Sequence, residues 1–189
     1  MEKTMTLRLT RILRVLILVT LVCNLLALLL VPGFVGMRGI AGFLDGAGQE
    51  QGLPRPVLFL IACWQYIPRI WREGPHQVVL TLFLLTCGVC TAVILWQGKR
   101  VLDTILRGAP FCGGNAGNLK RAAVCCFLIS AFALARVLWG AWFYQSIRPL
   151  LTYCGLFVPI FLMAGLLCLI MSALFGQAAR MKAENDLTI

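Results

Sequence analysis

The chain has 189 residues, of which 60% are hydrophobic and only 13% are charged. A soluble domain of this length carries about a quarter charged residues, so the composition excludes that class and leaves no room for a second domain with its own core. The formal net charge of +10 would suit nucleic acid, but the basic residues lie between apolar stretches. We therefore expect a membrane protein that does not bind nucleic acid directly.

Four apolar stretches each approach the roughly 20 residues with which an α-helix crosses about 30 Å of hydrocarbon. In lipid the backbone must satisfy its own hydrogen bonds, so each stretch is predicted to be a transmembrane helix. The predicted fold is all-α, a single integral membrane bundle of four transmembrane helices that occupies residues 1–189. The predicted spans are about 12–31, 78–97, 122–143 and 151–175.

The basic, amphipathic segment before the first span raises the alternative of a cleaved signal peptide. The apolar run is longer than a usual signal-peptide core, and no small-x-small cleavage site follows it. We expect a retained helix that ends on its outer side at Pro32-Gly33.

The distribution of basic residues predicts the topology. With the N-terminus inside, eleven basic residues flank the cytoplasmic ends of the spans and five lie on the outer side. The positive-inside rule then predicts that the N-terminus and the C-terminus are both cytoplasmic, with these charges at the anionic lipid surface. The eleven residues are Lys3, Arg8, Arg11, Arg14, Lys99, Arg100, Arg107, Lys120, Arg121, Arg180 and Lys182.

The outer loop, residues 32–77, contains an apolar segment at 57–71 that Pro68 interrupts. Eleven residues before this proline are too few to span the bilayer, so the segment is predicted to be interfacial or re-entrant. Its Trp64, Tyr66 and Trp71 suit the headgroup level. A fifth span is the alternative.

On the inner side, the second helix is predicted to continue through Gln97–Arg107 and to end at Gly108 in a left-handed turn. Asn115 or Asn118 is the expected N-cap of the third helix. A short connector then makes the third and fourth spans an antiparallel hairpin. The fourth helix is expected to run to about Lys182 within a cytoplasmic tail of residues 176–189.

Seven of the nine cysteines fall within the predicted spans, where thiols behave as small hydrophobic groups. Cys87-Gly-Val-Cys90 has the spacing of a redox motif, which raises the hypothesis of a quinone-linked thiol oxidoreductase. The pair lies near the middle of its span, however, and the outer loop offers only Cys63 as an electron relay. This hypothesis therefore ranks last.

Arg136 and Asn24 are the polar residues within the predicted spans that most need an explanation. Arg136 is roughly 10 Å from the outer end of the third span, where a charge costs up to a few kcal/mol without a partner. It either contacts an anion or ligand, or reaches outward, with Glu73 as a partner. Asn24 is expected to hydrogen-bond between helices, and Gly88 with Ala92 has the small-xxx-small spacing of close helix packing.

Residues that carry out catalysis are scarce. No carboxylate lies in any predicted span, and His76 is the only histidine. No phosphate-binding glycine loop, nucleophile elbow or metal-ligand spacing is present in the sequence. We therefore expect no enzymatic activity, no metal site and no cofactor.

Two segments carry a resemblance to a known family. Leu106-Arg-Gly-Ala-Pro-Phe111 followed by Asn118-Leu-Lys-Arg121 resembles a G-x-P-F box with a downstream N-x-(R/K) helix start. The tail, Ala183-Glu-Asn-Asp-Leu-Thr-Ile189, is similar to an E-x-N-D-L-T-I ending, with Ala183 in place of the first acid. Both are hallmarks of the bacterial membrane proteins called domain of unknown function 2975. The resemblance extends from the second span to the C-terminus.

Members of that family are often encoded beside a Cro/C1-type helix-turn-helix regulator. The resemblance therefore implies a non-enzymatic membrane partner or regulator of such a cytoplasmic transcription factor. The alternative is a small transporter or channel subunit with Asn24 and Arg136 along its path, and a homo-oligomer because four helices enclose little space. The residues expected to bind the regulator are Gly108, Pro110, Phe111, Glu184, Asn185, Asp186, Leu187 and Thr188.

Overall fold

The computed structural model describes residues 2–36, 64, 67–72, 74–108, 113–145 and 153–186. These ranges are helical and contain no strand. Four of the helices include a stretch long and apolar enough to cross a membrane, which confirms the prediction of an all-helical, multi-pass membrane fold. The helices are α1 (Glu2–Gly36), α2 (Ile67–Arg72), α3 (Pro75–Leu106), α4 (Gly113–Tyr144) and α5 (Tyr153–Asp186).

Two helices extend past the ends that we predicted. α1 continues through Pro32 to Gly36, although Pro32 cannot donate a backbone hydrogen bond to the preceding turn. α5 continues to Asp186 rather than ending at Lys182. No glycine or proline follows Gly176 in this stretch, and alanine, methionine, lysine and glutamate are all strong helix formers.

The start of α4 differs from the prediction as well. The helix begins at Gly113, so Asn115 and Asn118 lie within its first two turns and neither is its N-cap. Asn115 is completely buried, and its side chain is directed to α3 instead of to its own helix end. A tertiary contact therefore replaces the local role that asparagine commonly has at a helix start.

Only part of the predicted interfacial segment, 57–71, is within the described residues. Trp64 is exposed, and α2 begins at Ile67 with Pro68 in its first turn, where the missing N–H has no helical partner to lose. The remainder of the segment lies outside the described residues, as do Tyr66 and Glu73.

The chain divides into two compact units, and one of them comprises Asn24–Val89. Within it, α1 contacts α3 at Gly88, since Asn24 Nδ2 donates a hydrogen bond to the Gly88 carbonyl oxygen at 3.0 Å. Leu28 covers the same glycine so closely that a Cβ added at Gly88 would lie 2.6 Å from Leu28 Cδ2. The absence of a side chain at position 88 therefore permits this close approach of the two helices.

The other unit comprises Met1–Cys23 and Cys90–Ile189, and its core lies along one face of α4. In the most apolar 18-residue stretch of α4, 39% of the residues are buried, against 6% in the corresponding stretch of α5. The buried side chains recur every three or four residues, as expected for one helical face. They include Ala122, Ala123, Cys126, Ile129, Ser130, Ala133 and Val137.

α4 and α5 pack against each other as the predicted antiparallel hairpin. Ser130 Oγ donates to the Val158 carbonyl oxygen at 3.0 Å, and nearer the other end Ser172 Oγ donates to the Ala116 carbonyl oxygen at 2.7 Å. Later residues of α4 thus meet earlier residues of α5. Large apolar side chains on the outside of α5, such as Leu156, are exposed as on a lipid-facing helix.

Candidate interaction surface

The described residues among those proposed for partner binding, Gly108, Glu184 and Asn185, lie around one end of the larger unit, where α3 ends and α4 begins. We call this region the loop end; it contains Arg14, Asp103–Gly108, Asn115–Ala116 and the last turns of α5. The polar contacts described below are concentrated there. They connect four helices of the same unit.

Gly108 ends α3 in the left-handed conformation that the sequence predicts. Its φ is +76°, and its N–H donates to the Ile105 carbonyl oxygen at 3.1 Å. The N–H of Arg107 donates to the Asp103 carbonyl oxygen at 3.2 Å, so the turn satisfies two of the last four carbonyls of the helix. Gly108 is exposed, and no neighbouring atom of the described residues lies within 4 Å of a Cβ added there.

A buried hydrogen bond closes the base of the loop that follows. Asn115 Nδ2 donates to Thr104 Oγ1 at 2.6 Å, and Thr104 Oγ1 in turn donates to the Val101 carbonyl oxygen at 2.7 Å. Asn115 has no exposed surface, so this bond forms away from water and its loss leaves a buried amide without that acceptor. This bond thereby joins the last turn of α3 to the first turn of α4.

An ion pair joins α1 to the last turn of α3. Arg14 Nε lies 2.8 Å from Asp103 Oδ1, and the two side chains are 45% and 25% exposed. An ion pair that is this accessible to water contributes at most about 1 kcal/mol to stability. Its consequence is positional, because it holds the N-terminal helix beside the last turn of α3.

The end of α5 extends beyond these contacts. Ser172 is bonded to Ala116 in the first turn of α4, and the helix continues for 14 residues to Asp186, about 21 Å at 1.5 Å per residue. Glu184 and Asn185 are exposed near the end of this helix. The acidic tail therefore begins as part of a helix, although the sequence analysis expected that helix to end at about Lys182.

The structure thus brings Gly108 to the same end of the unit as Glu184 and Asn185. Pro110, Phe111, Leu187 and Thr188 lie outside the described residues, and of Asp186 only the helical backbone is described. The sequence analysis missed the residues that hold this end together. The missed residues are Arg14, Asp103, Thr104, Asn115 and Ser172.

The two intramembrane polar residues each have a protein partner. Asn24 bonds to the backbone of Gly88, as described above. Arg136 Nη1 donates to Cys154 Sγ at 2.8 Å across the α4–α5 contact. Both contacts join two helices, and each supplies part of the hydrogen bonding that a polar group in hydrocarbon requires.

The cysteines among the described residues, Cys87 and Cys90 included, form no disulfide. These two lie on the same helix, three residues apart, and the structure contains no disulfide between them. Cys63 and Cys112 lie outside the described residues.

Comparison with known proteins identifies the family. A family model described as a protein of unknown function (DUF2975) matches residues 64–189, which is two thirds of the chain. The chain belongs to the DUF2975 family. The matched region includes α3, α4 and α5, and so contains both segments that carry the resemblance. Neither the curated proteins nor the solved structures yield a match.

Proposed function

We propose that this DUF2975 protein is a non-enzymatic partner of a cytoplasmic helix-turn-helix regulator, which it binds at the cytoplasmic membrane of a bacterium. In this proposal the loop end faces the cytoplasm. The turn at Gly108, with Pro110 and Phe111, forms one part of the binding surface. The end of α5, with Glu184, Asn185, Asp186, Leu187 and Thr188, forms the other.

The observation that carries the proposal is the position of Gly108 and Glu184 at the same end of one compact unit. The antiparallel packing of α4 on α5 determines this, through the bond between Ser172 and Ala116. The bond between Asn115 and Thr104 anchors the turn to the same packed helices. A single cytoplasmic domain can therefore contact the turn and the tail together.

Charge supports a basic partner. The loop end is rich in arginine and lysine, and Glu184 and Asp186 place two acids at its farthest helical point. A DNA-binding domain is basic, and complementary charge directs such a domain to the acidic tail more than to the rest of this end. The exposed position of Glu184 makes its carboxylate accessible to such a domain.

The first test is co-purification of the tagged full-length protein from its native membrane, with mass spectrometry of the proteins that accompany it. We expect enrichment of a helix-turn-helix protein with the wild type and not with a chain that ends after Ala183. Recovery of membrane or periplasmic proteins alone would contradict the proposal.

A charge reversal at Glu184 tests whether the tail contacts the regulator. Glu184→Lys should weaken binding of the recovered regulator by at least about tenfold, because it replaces an attractive charge with a repulsive one. Gln177→Lys is the matched control, since it adds a positive charge two helical turns earlier on the same exposed face of α5. Equal binding by Glu184→Lys and the wild type, at equal membrane levels, would exclude the tail as the contact.

The transporter alternative makes an opposite prediction. It requires solute or ion flux in proteoliposomes, and loss of that flux in Arg136→Leu. Absence of flux from wild-type protein that still binds the regulator would favour the proposed function. Flux without any cytoplasmic partner would favour the transporter.

A further inference from the structure

A cluster of one aromatic and two basic side chains lies on α3, separate from the proposed partner-binding residues. Trp96 is 45% exposed, and Lys99 Nζ lies 4.9 Å from the centroid of its ring. Arg100 Cζ lies 6.0 Å from the same centroid. We call these three residues the tryptophan–basic cluster. A cation at either distance is attracted by the negative face of the indole, so the ring holds both side chains near one point.

The neighbouring acid does not neutralise this cluster. Asp103 is four residues after Lys99 and three after Arg100, which are the spacings for an ion pair along a helix. Its Oδ1, however, is 2.8 Å from Arg14 Nε of α1. Within the described part of the chain neither Lys99 nor Arg100 has a carboxylate partner. Two positive charges are therefore available to an anion from outside the chain.

The position of the cluster indicates which anion. Trp96 ends the apolar stretch of a membrane-spanning helix, and charged residues begin within one turn after it. A tryptophan at such a boundary lies at the headgroup level of a bilayer, where its ring meets the glycerol and upper acyl region. The phosphate of a phospholipid lies next to the glycerol on the water side, where Lys99 and Arg100 follow Trp96 along the helix.

We propose that the tryptophan–basic cluster binds the headgroup of an anionic phospholipid. Lys99 and Arg100 contact the phosphate, and the indole of Trp96 packs against the glycerol side of the same molecule. Free inorganic phosphate would use the two cations but would gain nothing from the exposed apolar ring. This site does not depend on the identity of the cytoplasmic partner.

The test is native mass spectrometry of the delipidated full-length protein titrated with phosphatidylglycerol or with phosphatidylcholine. Both lipids carry a phosphate, but only phosphatidylglycerol has a net negative charge. We expect the wild type to prefer phosphatidylglycerol by on the order of tenfold, given two unpaired cations at the site. The double variant Lys99→Gln/Arg100→Gln should lose the preference, and Trp96→Leu should weaken binding of both lipids.

The double variant Lys120→Gln/Arg121→Gln is the matched control. It removes the same charge from two exposed side chains on α4, neither of which makes a cation–π contact with a described aromatic ring. Retention of the preference by this control, with its loss in the α3 variant, would establish the site. Equal loss in both double variants would show a general charge effect and overturn the proposal. Displacement of the lipid by millimolar inorganic phosphate would overturn it too, in favour of a free-anion site.

Discussion

At the residue scale, the packing of α4 on α5 depends on a glycine. A Cβ added at Gly165 would lie 2.9 Å from Cε1 of Phe127 and 3.1 Å from its Cδ1 and Cζ atoms. Gly165 is buried in this contact. An aromatic ring is rigid and cannot withdraw one atom as an aliphatic chain can. The two helices therefore approach each other at a distance that only glycine allows.

Gly165→Ala should destabilise the protein by about 1–3 kcal/mol, the range for adding a methyl group to a packed core. The measurement is the unfolding midpoint in a detergent-to-SDS titration monitored by circular dichroism. Combining it with Phe127→Leu should recover part of the loss, because the smaller side chain makes room for the methyl group.

Gly117→Ala is the control for this change. No atom of the described residues lies within 4 Å of a Cβ added at Gly117, so only the helix propensity changes, and alanine is favoured by up to about 1 kcal/mol. Equal stability of Gly165→Ala and Gly117→Ala would contradict the close packing of α4 on α5.

At the element scale, the described membrane helices are longer than a bilayer requires. α3 and α4 have 32 residues each, or about 48 Å, against about 30 Å of hydrocarbon. The additional turns of α3 are amphipathic and include Asp103 and Thr104. Surfaces near the membrane at the loop end are therefore built on helices, which hold side chains more firmly than free loops do.

Thr104→Val should release the loop between α3 and α4. The variant removes the acceptor of Asn115 Nδ2, and a buried amide without that bond costs about 1–3 kcal/mol. We expect faster tryptic cleavage after Arg107, measured by limited proteolysis in detergent micelles, together with lower thermal stability.

Thr86→Val is the control on the same helix. Thr86 Oγ1 donates to the Leu82 carbonyl oxygen of its own helix, so its removal breaks no contact between elements. Unchanged cleavage in Thr104→Val relative to this control would show that the buried bond does not restrain the loop.

At the scale of the whole molecule, the order of contacts between α4 and α5 places the start of α4 and the end of α5 at one end of their unit. A helix of about 48 Å that spans the bilayer has its two termini on opposite sides. The predicted topology assigns the start of α4 to the cytoplasm, since most basic residues lie there.

Single cysteines in a background without the native nine test this topology. Gly113→Cys and Glu184→Cys should react with a membrane-impermeant maleimide only after the cells are permeabilised, whereas Gln145→Cys should react in intact cells. The reversed pattern would show that the N-terminus is outside. Opposite behaviour of Gly113→Cys and Glu184→Cys would contradict the antiparallel arrangement of α4 and α5.

Much of the fold was predictable because its largest energy terms act within single segments. The cost of placing charge or unpaired backbone in hydrocarbon restricts each span to a continuous apolar helix, whatever the rest of the chain does. The turn at Gly108 was predictable for the same reason, since a left-handed residue and a following proline are local signals. The ends of helices were less predictable from the sequence. α1 continues past Pro32, and α5 continues into the acidic tail.

The sequence by itself therefore determined the membrane environment, the four apolar helices of the described residues and the position of the turn. Only the tertiary structure decided which polar groups meet. Asn115 had an equally good local use as a helix cap, and its contact with Thr104 is chosen only because α3 and α4 pack together. Likewise, Asp103 forms an ion pair with Arg14, 89 residues away in sequence. Lys99 and Arg100 are thereby left without a carboxylate partner among the described residues. Such choices depend on which helices become neighbours, and no segment contains that information alone.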